Sequence, residues 1–159
     1  MAELILIRHA EPALRGVLLG QADPELSAAG CQQAALLRDQ VGSYASLVSS
    51  PLRRCVQTAW AIGDDFRLSP GLREWTYGPW DGLSWEQIEA RFPEHAAARL
   101  NDWFGYTAPG QESWSAFTSR VESAWRELAS LPRPLVLVAH EAVNRVLLCR
   151  ILGLPLARL

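Results

Sequence analysis

The sequence predicts an α/β fold with three layers, in which a mostly parallel central sheet is flanked by helices. Short apolar segments alternate with longer, more polar ones, as expected when helices connect parallel strands. Two of the apolar segments, residues 4–7 and 135–139, lack any polar position, which is typical of strands buried on both faces. The 159 residues show no repeat and no linker, so we expect a single domain over residues 1–159.

The first half of the chain is predicted to contain three strands and two helices. The predicted strands are residues 4–7, 46–49 and 66–68. A loop over residues 10–26 precedes a helix over about 28–40, for which Ser27 is a suitable N-cap. Pro51 fits the first turn of a second helix, which ends near Ile62.

The second half begins with residues 71–82, which are rich in glycine and tryptophan and show no clear period. Ser84 and Ser113 are suitable N-caps for two of the helices that follow. The predicted elements are helices over 85–91, 93–103, 114–130 and 141–152, a loop over 105–110 and a strand over 135–139. Gly153 is expected to end the last helix.

Composition excludes several functions. All 15 basic side chains are arginine, and the chain contains no lysine. A Walker-type phosphate loop and Schiff-base chemistry both need a lysine, so both are excluded. Any anion site must use planar guanidinium groups. The net charge of −2, without a basic stripe, argues against a nucleic-acid partner.

Targeting and metal-binding signals are also missing from the sequence. No apolar run reaches 18 residues, and the first residues lack the basic segment of a signal peptide. We therefore expect a cytoplasmic protein with no membrane partner. Cys31, Cys55 and Cys149 are widely spaced and odd in number, which fits neither a disulfide framework nor a zinc site.

Polar residues follow three of the predicted strands. Arg8 and His9 follow the first, Ser50 and Arg54 the second, and His140 the last. Ligands of open parallel sheets bind beyond the carboxyl ends of the strands, so these side chains should converge. Histidines and arginines that converge near helix N-termini form a pocket for a dianion.

Four short segments carry a recognisable pattern. They are residues 8–11 (RHAE), 49–59 (SSPLRRCVQTA), 72–82 (LREWTYGPWDG) and 138–140 (VAH). In this order they resemble the motifs of the histidine phosphatase superfamily, also called the phosphoglycerate mutase-like family. Each segment alone is a weak signal, but together they cover most of the chain in the family's order.

The resemblance implies a metal-independent phosphatase that works through a phosphohistidine. His9 would be the nucleophile, and Glu74 would protonate the leaving oxygen and then activate water. Arg8, Arg54 and His140 would bind the phosphoryl oxygens, with His140 also sharing in catalysis. Because side chains would supply the positive charge, no cofactor and no metal are expected.

Other polar residues near these motifs are weighed in the same way. The family's arginine lies four residues after the serine of the second motif, which selects Arg54 over Arg53. Arg15, six residues after His9, and Gln21 are candidates for secondary phosphate contacts. For both, a solvated position in the loop is the alternative interpretation.

The sequence departs from the family's pattern at three positions. Ala10 and Glu141 each replace a glycine, and Asp81 replaces a glutamate. We expect Glu141 to point away from the phosphate and to serve the N-terminus of its helix. Asp81 is expected to shape its loop, and His95 to lie on the surface or on a lid.

The chain contains seven tryptophans, an unusual number for 159 residues. Trp75, Trp80 and Trp85 lie close to the acid loop around Glu74, and Trp103 precedes the loop over residues 105–110. The pattern allows two interpretations. The aromatic side chains pack the core and lid, or they form a wall against a flat leaving group.

Two stretches resemble the α-ribazole phosphatases in particular. They are residues 19–27 (LGQADPELS) and 102–113 (DWFGYTAPGQES). The implied reaction is hydrolysis of α-ribazole 5′-phosphate during assembly of the nucleotide loop of cobalamin. A broad-specificity small-molecule phosphatase is the alternative. A phosphoglycerate mutase, with longer insertions, and a protein phosphohistidine phosphatase, without such an acid loop, are less favoured.

The resemblance also bears on domain organisation. Residues 83–113 would form a helical, lid-like insertion, and the strand that follows the last helix in relatives would be missing. Leu154, Leu156 and Leu159 would then leave an apolar tail available for a homodimer contact. The expected partner is a small phosphorylated metabolite.

Overall fold

The computed structural model describes residues 3–156 and contains a four-stranded sheet. The strands are β1 (Leu4–Arg8), β2 (Ser46–Ser49), β3 (Arg67–Leu68) and β4 (Leu135–Ala139). Their order is β1-β4-β2-β3, and each neighbouring pair is parallel. The α/β fold class with a parallel central sheet is therefore confirmed.

Helices connect the strands, as the alternating segments predicted. The α-helices described within residues 3–156 are α1 (Ala28–Ala35), α2 (Leu37–Val41), α3 (Arg53–Ile62), α4 (Trp85–Arg91), α5 (Pro93–Asn101), α6 (Trp114–Leu128) and α7 (Glu141–Leu152). Two short 3₁₀ helices, Pro70–Leu72 and Gly78–Trp80, precede α4. None of the helices in this part of the chain is long and apolar enough to cross a membrane.

Two of the predicted helices differ from those observed. The helix predicted over 28–40 is broken at Leu36, whose N–H donates to the Gln33 carbonyl at 3.3 Å. This three-residue closure tightens the last turn of α1 and ends it. The helix predicted to begin at Pro51 begins at Arg53, because Leu52 still has extended backbone (φ −70°, ψ 138°).

The side chains of β4 explain why the fold has three layers. Its five residues are completely buried and alternate between two faces. Leu135, Leu137 and Ala139 pack with residues of α6 and α7. Val136 and Val138 pack with residues of α3 on the opposite face. Helices therefore cover both sides of the sheet, as predicted.

The parallel register brings the ends of β1, β2 and β4 to one edge of the sheet. The His9 N–H donates to the Ala139 carbonyl and the Ser50 N–H to the Val138 carbonyl, both at 2.9 Å. The residue after each strand is thus held by the neighbouring strand. This places His9, Ser50 and His140 side by side.

The segment from residue 83 to 113 contains α4 and α5. It packs on Trp80 through a small core formed by Ile88, Ala96 and Ala108. Backbone hydrogen bonds attach its start to the loop after β1, where the Leu18 N–H donates to the Leu83 carbonyl at 2.9 Å. That this segment acts as a lid stays a prediction.

The chain after α7 turns at Gly153, which has a left-handed φ of 66° and ends the helix as predicted. Leu154 is exposed, whereas Leu156 packs against the core beside α6 and α7. Leu159 lies outside the described residues. The missing strand and the homodimer contact stay predictions.

Candidate active site

A cavity of about 450 Å³ lies at the carboxyl ends of β1 and β4 and combines charged with aromatic side chains. The charged and polar lining side chains include Arg8, His9, Arg15, Glu74, Glu141 and Arg145. The aromatic ones are Trp75, Tyr77, Trp103, Phe104 and Trp114. Arg54 and His140 are completely buried and adjoin His9. The cavity can therefore take an anion at one group of residues and a flat group at another.

The imidazole of His9 is held in one tautomer. Its Nδ1 lies 2.8 Å from the Ala10 carbonyl oxygen, which only accepts hydrogen bonds, so Nδ1 carries the proton. Nε2 is then the unprotonated nitrogen, and its lone pair accepts a hydrogen bond from Arg54 Nε at 3.3 Å. The Ala10 N–H donates to Thr58 Oγ1 at 3.0 Å, which fixes the backbone that orients His9.

The charge state of His9 also suits a nucleophile. Burial is the largest cause that lowers the pKa of His9, and repulsion by Arg54 and Arg8 adds to it. Against the raising effect of the Ala10 hydrogen bond, the pKa falls from 6.5 to about 4. The ring is therefore neutral above about pH 4, and its Nε2 lone pair is available for attack.

Arg54 is buried with its positive charge aimed at the nucleophile. Its two terminal nitrogens donate to the backbone carbonyls of Ala22 and Gly20 at 2.8 and 3.0 Å. Within residues 3–156 no carboxylate forms an ion pair with it. The neighbouring Arg53 points away and pairs with Glu25 at 2.9 Å. An anion bound at His9 would supply the missing negative charge at Arg54.

His140 fills the space beside His9, with ring centroids 5.2 Å apart. Its Nε2 lies 2.8 Å from Ser50 Oγ and 3.4 Å from Cys55 Sγ. Burial, followed by repulsion from Arg54, holds the pKa of His140 well below 6.5. Its ring is therefore neutral, and its polar contacts are to the buried side chains of Ser50 and Cys55.

Glu74 lines the same cavity and is 7% exposed. The Trp75 N–H donates to its Oε1 at 2.9 Å, and the Ala142 N–H to its Oε2 at 3.3 Å. Burial raises the pKa of Glu74 despite these hydrogen bonds. A carboxyl group that holds its proton to higher pH can act as a general acid.

The sequence predicted that Glu141 points away from the phosphate region and serves the N-terminus of its helix. It is the first residue of α7, as predicted, but its side chain lines the cavity. Its Oε2 lies 2.7 Å from a terminal nitrogen of Arg8, and its Oε1 lies 2.8 Å from one of Arg145. These two guanidinium groups hold the carboxylate in the cavity wall. The predicted direction of the side chain was wrong because Arg8 and Arg145 attract the carboxylate of Glu141.

The structure separates the two candidates for secondary phosphate contacts. Arg15 lines the cavity but is largely exposed, and it pairs with Glu11 at 3.2 Å. Gln21 is not among the residues that line this cavity. Its side-chain nitrogen donates to the backbone carbonyl of Glu74 at 2.8 Å, so it supports the acid loop instead.

Asp81 shapes the loop after β1, as expected from the sequence. Its two carboxylate oxygens accept hydrogen bonds from the backbone N–H groups of Gly20, Gln21 and Ala22 at 2.8, 2.5 and 2.7 Å. Since Arg54 donates to the carbonyls of Gly20 and Ala22, Asp81 and Arg54 hold the same loop from both sides.

The two interpretations of the tryptophans each apply to a different group. Trp75 and Trp103 line the cavity, where Trp75 also contacts Phe104 with ring centroids 6.4 Å apart. Trp80 is buried against the segment over residues 83–113 and contacts Trp85 edge to face. Some of the tryptophans therefore line the cavity, whereas others only pack the core.

Three arginines near the site were missed in the sequence. Arg120 donates two hydrogen bonds to the carboxylate of Glu112 and further ones to backbone carbonyls of the acid loop, including Glu74 at 3.3 Å. Arg99 is 1% exposed and lies over four aromatic rings. The one sequence signal for its burial is its position on the apolar side of α5, three residues after Ala96. Arg145 follows Glu141 by one helical turn, a spacing that the sequence does contain.

His95 lies in the segment over residues 83–113, half-buried, with its Nδ1 in contact with the hydroxyl of Tyr106. This position agrees with the expectation that it lies on the surface or lid. It is not one of the residues that line the cavity.

Comparison with known proteins agrees with this geometry. 6-Phosphofructo-2-kinase/fructose-2,6-bisphosphatase 1 of Mus musculus is 34% identical over 151 residues, which are 91% of this chain and 31% of that protein. The chain thus spans less than a third of that relative. Adenosylcobalamin/alpha-ribazole phosphatase of Escherichia coli is 29% identical over 162 residues, covering 96% of this chain and 80% of that protein. Phosphoserine phosphatase 1 of Hydrogenobacter thermophilus is 29% identical over 168 residues, covering 99% and 80%.

Solved structures are also similar. The alpha-ribazole phosphatase of Shigella flexneri superposes with a TM-score of 0.89 at 27% identity, covering 97% of this chain and 81% of that one. A mycobacterial glucosyl-3-phosphoglycerate phosphatase gives 0.83 at 31% identity, covering 98% and 82%. The names of these relatives all state a phosphatase activity, in agreement with the predicted enzyme class. Residues 4–159 match the histidine phosphatase superfamily, branch 1, and the chain therefore belongs to that family.

Proposed function

We propose that the chain is a phosphomonoesterase that works through a phosphohistidine at His9. The observation that carries this proposal is the pairing of a neutral His9, whose Nε2 carries no proton, with the buried cation of Arg54, whose Nε lies 3.3 Å from it. A nucleophile and an anion-binding group then meet at one point. Glu74, which keeps its proton to higher pH, lies in the same cavity.

The first step forms a bond between His9 Nε2 and phosphorus and breaks the bond from phosphorus to the leaving oxygen. The leaving oxygen takes the proton of Glu74 and departs as an alcohol. Arg8 and Arg54 stabilise the charge on the three phosphoryl oxygens during transfer. His140, whose ring centroid lies 5.2 Å from that of His9, would share in binding them.

In the second step, Glu74 is ionised and accepts a proton from water as the water oxygen attacks phosphorus. The bond between Nε2 and phosphorus breaks, and inorganic phosphate leaves. His9 recovers its lone pair and Glu74 its proton, so both residues return to their initial states.

We infer that the leaving group is the nucleoside-like part of α-ribazole 5′-phosphate. The partly exposed aromatic side chains of Tyr77, Trp103 and Trp114 line the cavity and can contact a flat base, which supports this choice. The similarity to α-ribazole phosphatases supports it as well. The alternative is a broad-specificity small-molecule phosphatase, which the equal similarity to a phosphoserine phosphatase supports. A cytoplasmic location and a homodimer stay predictions.

The test is phosphate release from a panel of phosphomonoesters in excess chelator. The panel contains α-ribazole 5′-phosphate, p-nitrophenyl phosphate and several sugar and amino-acid phosphates. We expect His9→Asn to lower kcat/KM roughly 1000-fold or more. The wild-type protein, quenched during turnover, should carry an acid-labile phosphoryl group that His9→Asn lacks. The matched control is His95→Asn, which changes a histidine outside the cavity.

The outcomes separate the alternatives. A kcat/KM for α-ribazole 5′-phosphate well above the rest of the panel supports the named substrate, and similar values across the panel support broad specificity. Full activity in His9→Asn, or activity that chelator abolishes and metal restores, would contradict the phosphohistidine mechanism.

A further inference from the structure

Glu141 forms a carboxylate bridge in the wall of the cavity. Its two oxygens contact Arg8 at 2.7 Å and Arg145 at 2.8 Å, and all three residues line the cavity. A third lining arginine, Arg15, is paired with Glu11. Within the described part of the chain, each guanidinium group that lines the cavity is therefore already paired with a carboxylate.

The buried Arg54 differs from these three, because no carboxylate of the described residues pairs with it. Among these four arginines of the site, Arg54 is the one without a carboxylate contact in the described residues, and it lies next to His9, where a phosphoryl group would bind. Arg8 and Arg145 share the single carboxylate of Glu141. A second negative charge on the same ligand would meet paired arginines and the carboxylate of Glu141. Glu141 therefore weakens the positive charge that a second anionic group would meet in the cavity.

The position of Glu141 places its charge beside the leaving group. The next residue, Ala142, donates its N–H to Glu74 Oε2 at 3.3 Å, so Glu141 adjoins the acid that would protonate the leaving oxygen. Its side chain is about half-exposed and lines the cavity, so its charge is accessible to a bound ligand. A charge at this point acts on the leaving group as well as on the phosphoryl group.

We propose that Glu141 is a specificity-determining residue that selects phosphomonoesters whose leaving group carries no negative charge. It does so by neutralising part of the positive charge of Arg8 and Arg145, and by repelling a second anionic group directly. This inference rests on the proposed phosphatase activity and defines its substrate class more narrowly.

Two substrates that differ by one carboxylate test this proposal. O-Phosphoethanolamine and O-phospho-L-serine have the same phosphoryl group and amine, and only phosphoserine carries a carboxylate. We expect the wild-type protein to have the higher kcat/KM for phosphoethanolamine. Glu141→Gln keeps the shape and removes the charge, so it should raise the value for phosphoserine relative to phosphoethanolamine by about 5-fold.

The reciprocal variant removes the cation. Arg145→Gln should shift the ratio in the opposite direction, because it leaves the carboxylate of Glu141 with one partner fewer. Both shifts should shrink in high salt, since the charges are exposed and screened. If Glu141 had a purely structural role, its replacement would lower kcat/KM for both substrates together, and the ratio would not respond to salt in this way.

The control is Glu25→Gln, which removes an exposed carboxylate that pairs with Arg53 at 2.9 Å away from the cavity. It should leave the ratio unchanged. An equal effect of Glu141→Gln on both substrates, or a fall in the relative value for phosphoserine, would overturn the proposal.

A binding measurement keeps this test independent of catalysis. Titration calorimetry with inorganic phosphate should show about 5-fold tighter binding to Glu141→Gln than to the wild-type protein. Unchanged or weaker binding would overturn the role of Glu141 even in an inactive protein. Lack of phosphatase activity on every substrate, combined with tighter phosphate binding, would contradict only the proposed function.

Discussion

At the residue scale, burial changes the protonation of His9 and Glu74 in opposite directions. Removal from water disfavours the charged form of each group, so the pKa of His9 falls to about 4 and the pKa of Glu74 rises. At neutral pH the histidine is then an unprotonated base, and the carboxyl group is closer to its acid form. One physical cause thus prepares a nucleophile and a proton donor in the same cavity.

This arrangement predicts how Glu74→Gln will behave. The variant keeps a hydrogen-bond acceptor for the backbone N–H groups but has no proton to transfer. The kcat/KM for esters with poor leaving groups, such as alkyl phosphates, should fall roughly 100-fold or more, because the leaving oxygen must be protonated as it departs. The kcat/KM for p-nitrophenyl phosphate, whose leaving group needs no proton, should fall much less in the same assay.

Glu112→Gln is the control for this comparison. Glu112 binds Arg120 at 2.8 Å and does not line the cavity, so its loss should affect both kinds of ester to a similar extent. If Glu74→Gln slows the hydrolysis of alkyl and aryl esters equally, another residue is the general acid.

At the scale of secondary structure elements, Arg99 connects α5 to the aromatic side of the cavity. Its guanidinium carbon lies 5.0 Å from the ring centroid of Trp75 and 5.7 Å from that of Trp103. Its terminal nitrogens donate to the Trp103 carbonyl at 2.6 Å and to Gln111. Since α5 has few other buried side chains, this one residue contributes much of its attachment.

We expect Arg99→Lys to loosen α5. A lysine ammonium is a point charge that does not reproduce the planar stacking and the two separate hydrogen bonds. The free energy of unfolding, measured in urea, should fall by about 2 kcal/mol. Arg91→Lys is the matched control, because Arg91 also lies over a ring, that of Phe92, but is exposed. It should change stability by less than about 0.5 kcal/mol, and an equal loss in both variants would contradict the role of Arg99.

At the scale of the whole molecule, the parallel sheet buries two histidines against a buried arginine. Folding therefore excludes protons that the unfolded chain would bind. Both histidine pKa values are depressed on folding, so their contribution to stability is present above pH 6.5 and is lost as the pH falls toward 4. Glu74 acts in the opposite sense, since its raised pKa means that the folded protein binds its proton more tightly.

A comparison of the wild-type protein with His9→Gln isolates the contribution of His9 to the pH dependence of stability. Between pH 6.5 and 4 the wild-type free energy of unfolding should fall more steeply, with a difference in slope of up to about 1.4 kcal/mol per pH unit. Urea unfolding at several pH values measures it. His9→Asn should show the same reduced slope, since neither replacement titrates. Parallel pH profiles for wild type and variants would contradict a depressed pKa at His9.

Much of this protein could be predicted from its sequence. The fold class followed from apolar segments such as the one over residues 135–139, because a strand buried on both faces has no polar position. The family followed from four motifs in order and is confirmed by the match over residues 4–159. The convergence of His9, Arg54 and His140 also followed, because parallel strands end at the same edge.

The sequence did not determine which side chains would pair across the cavity. Glu141 lies beside Arg8, Gln21 supports the acid loop, and Arg99 is buried among aromatic rings, and only the tertiary structure decided each of these contacts. The physical reason is the distance along the chain between the residues that interact. Strand patterns, caps and motifs depend on neighbours along the chain, whereas a charge or a hydrogen-bond donor takes the partner that the folded backbone brings within a few ångströms.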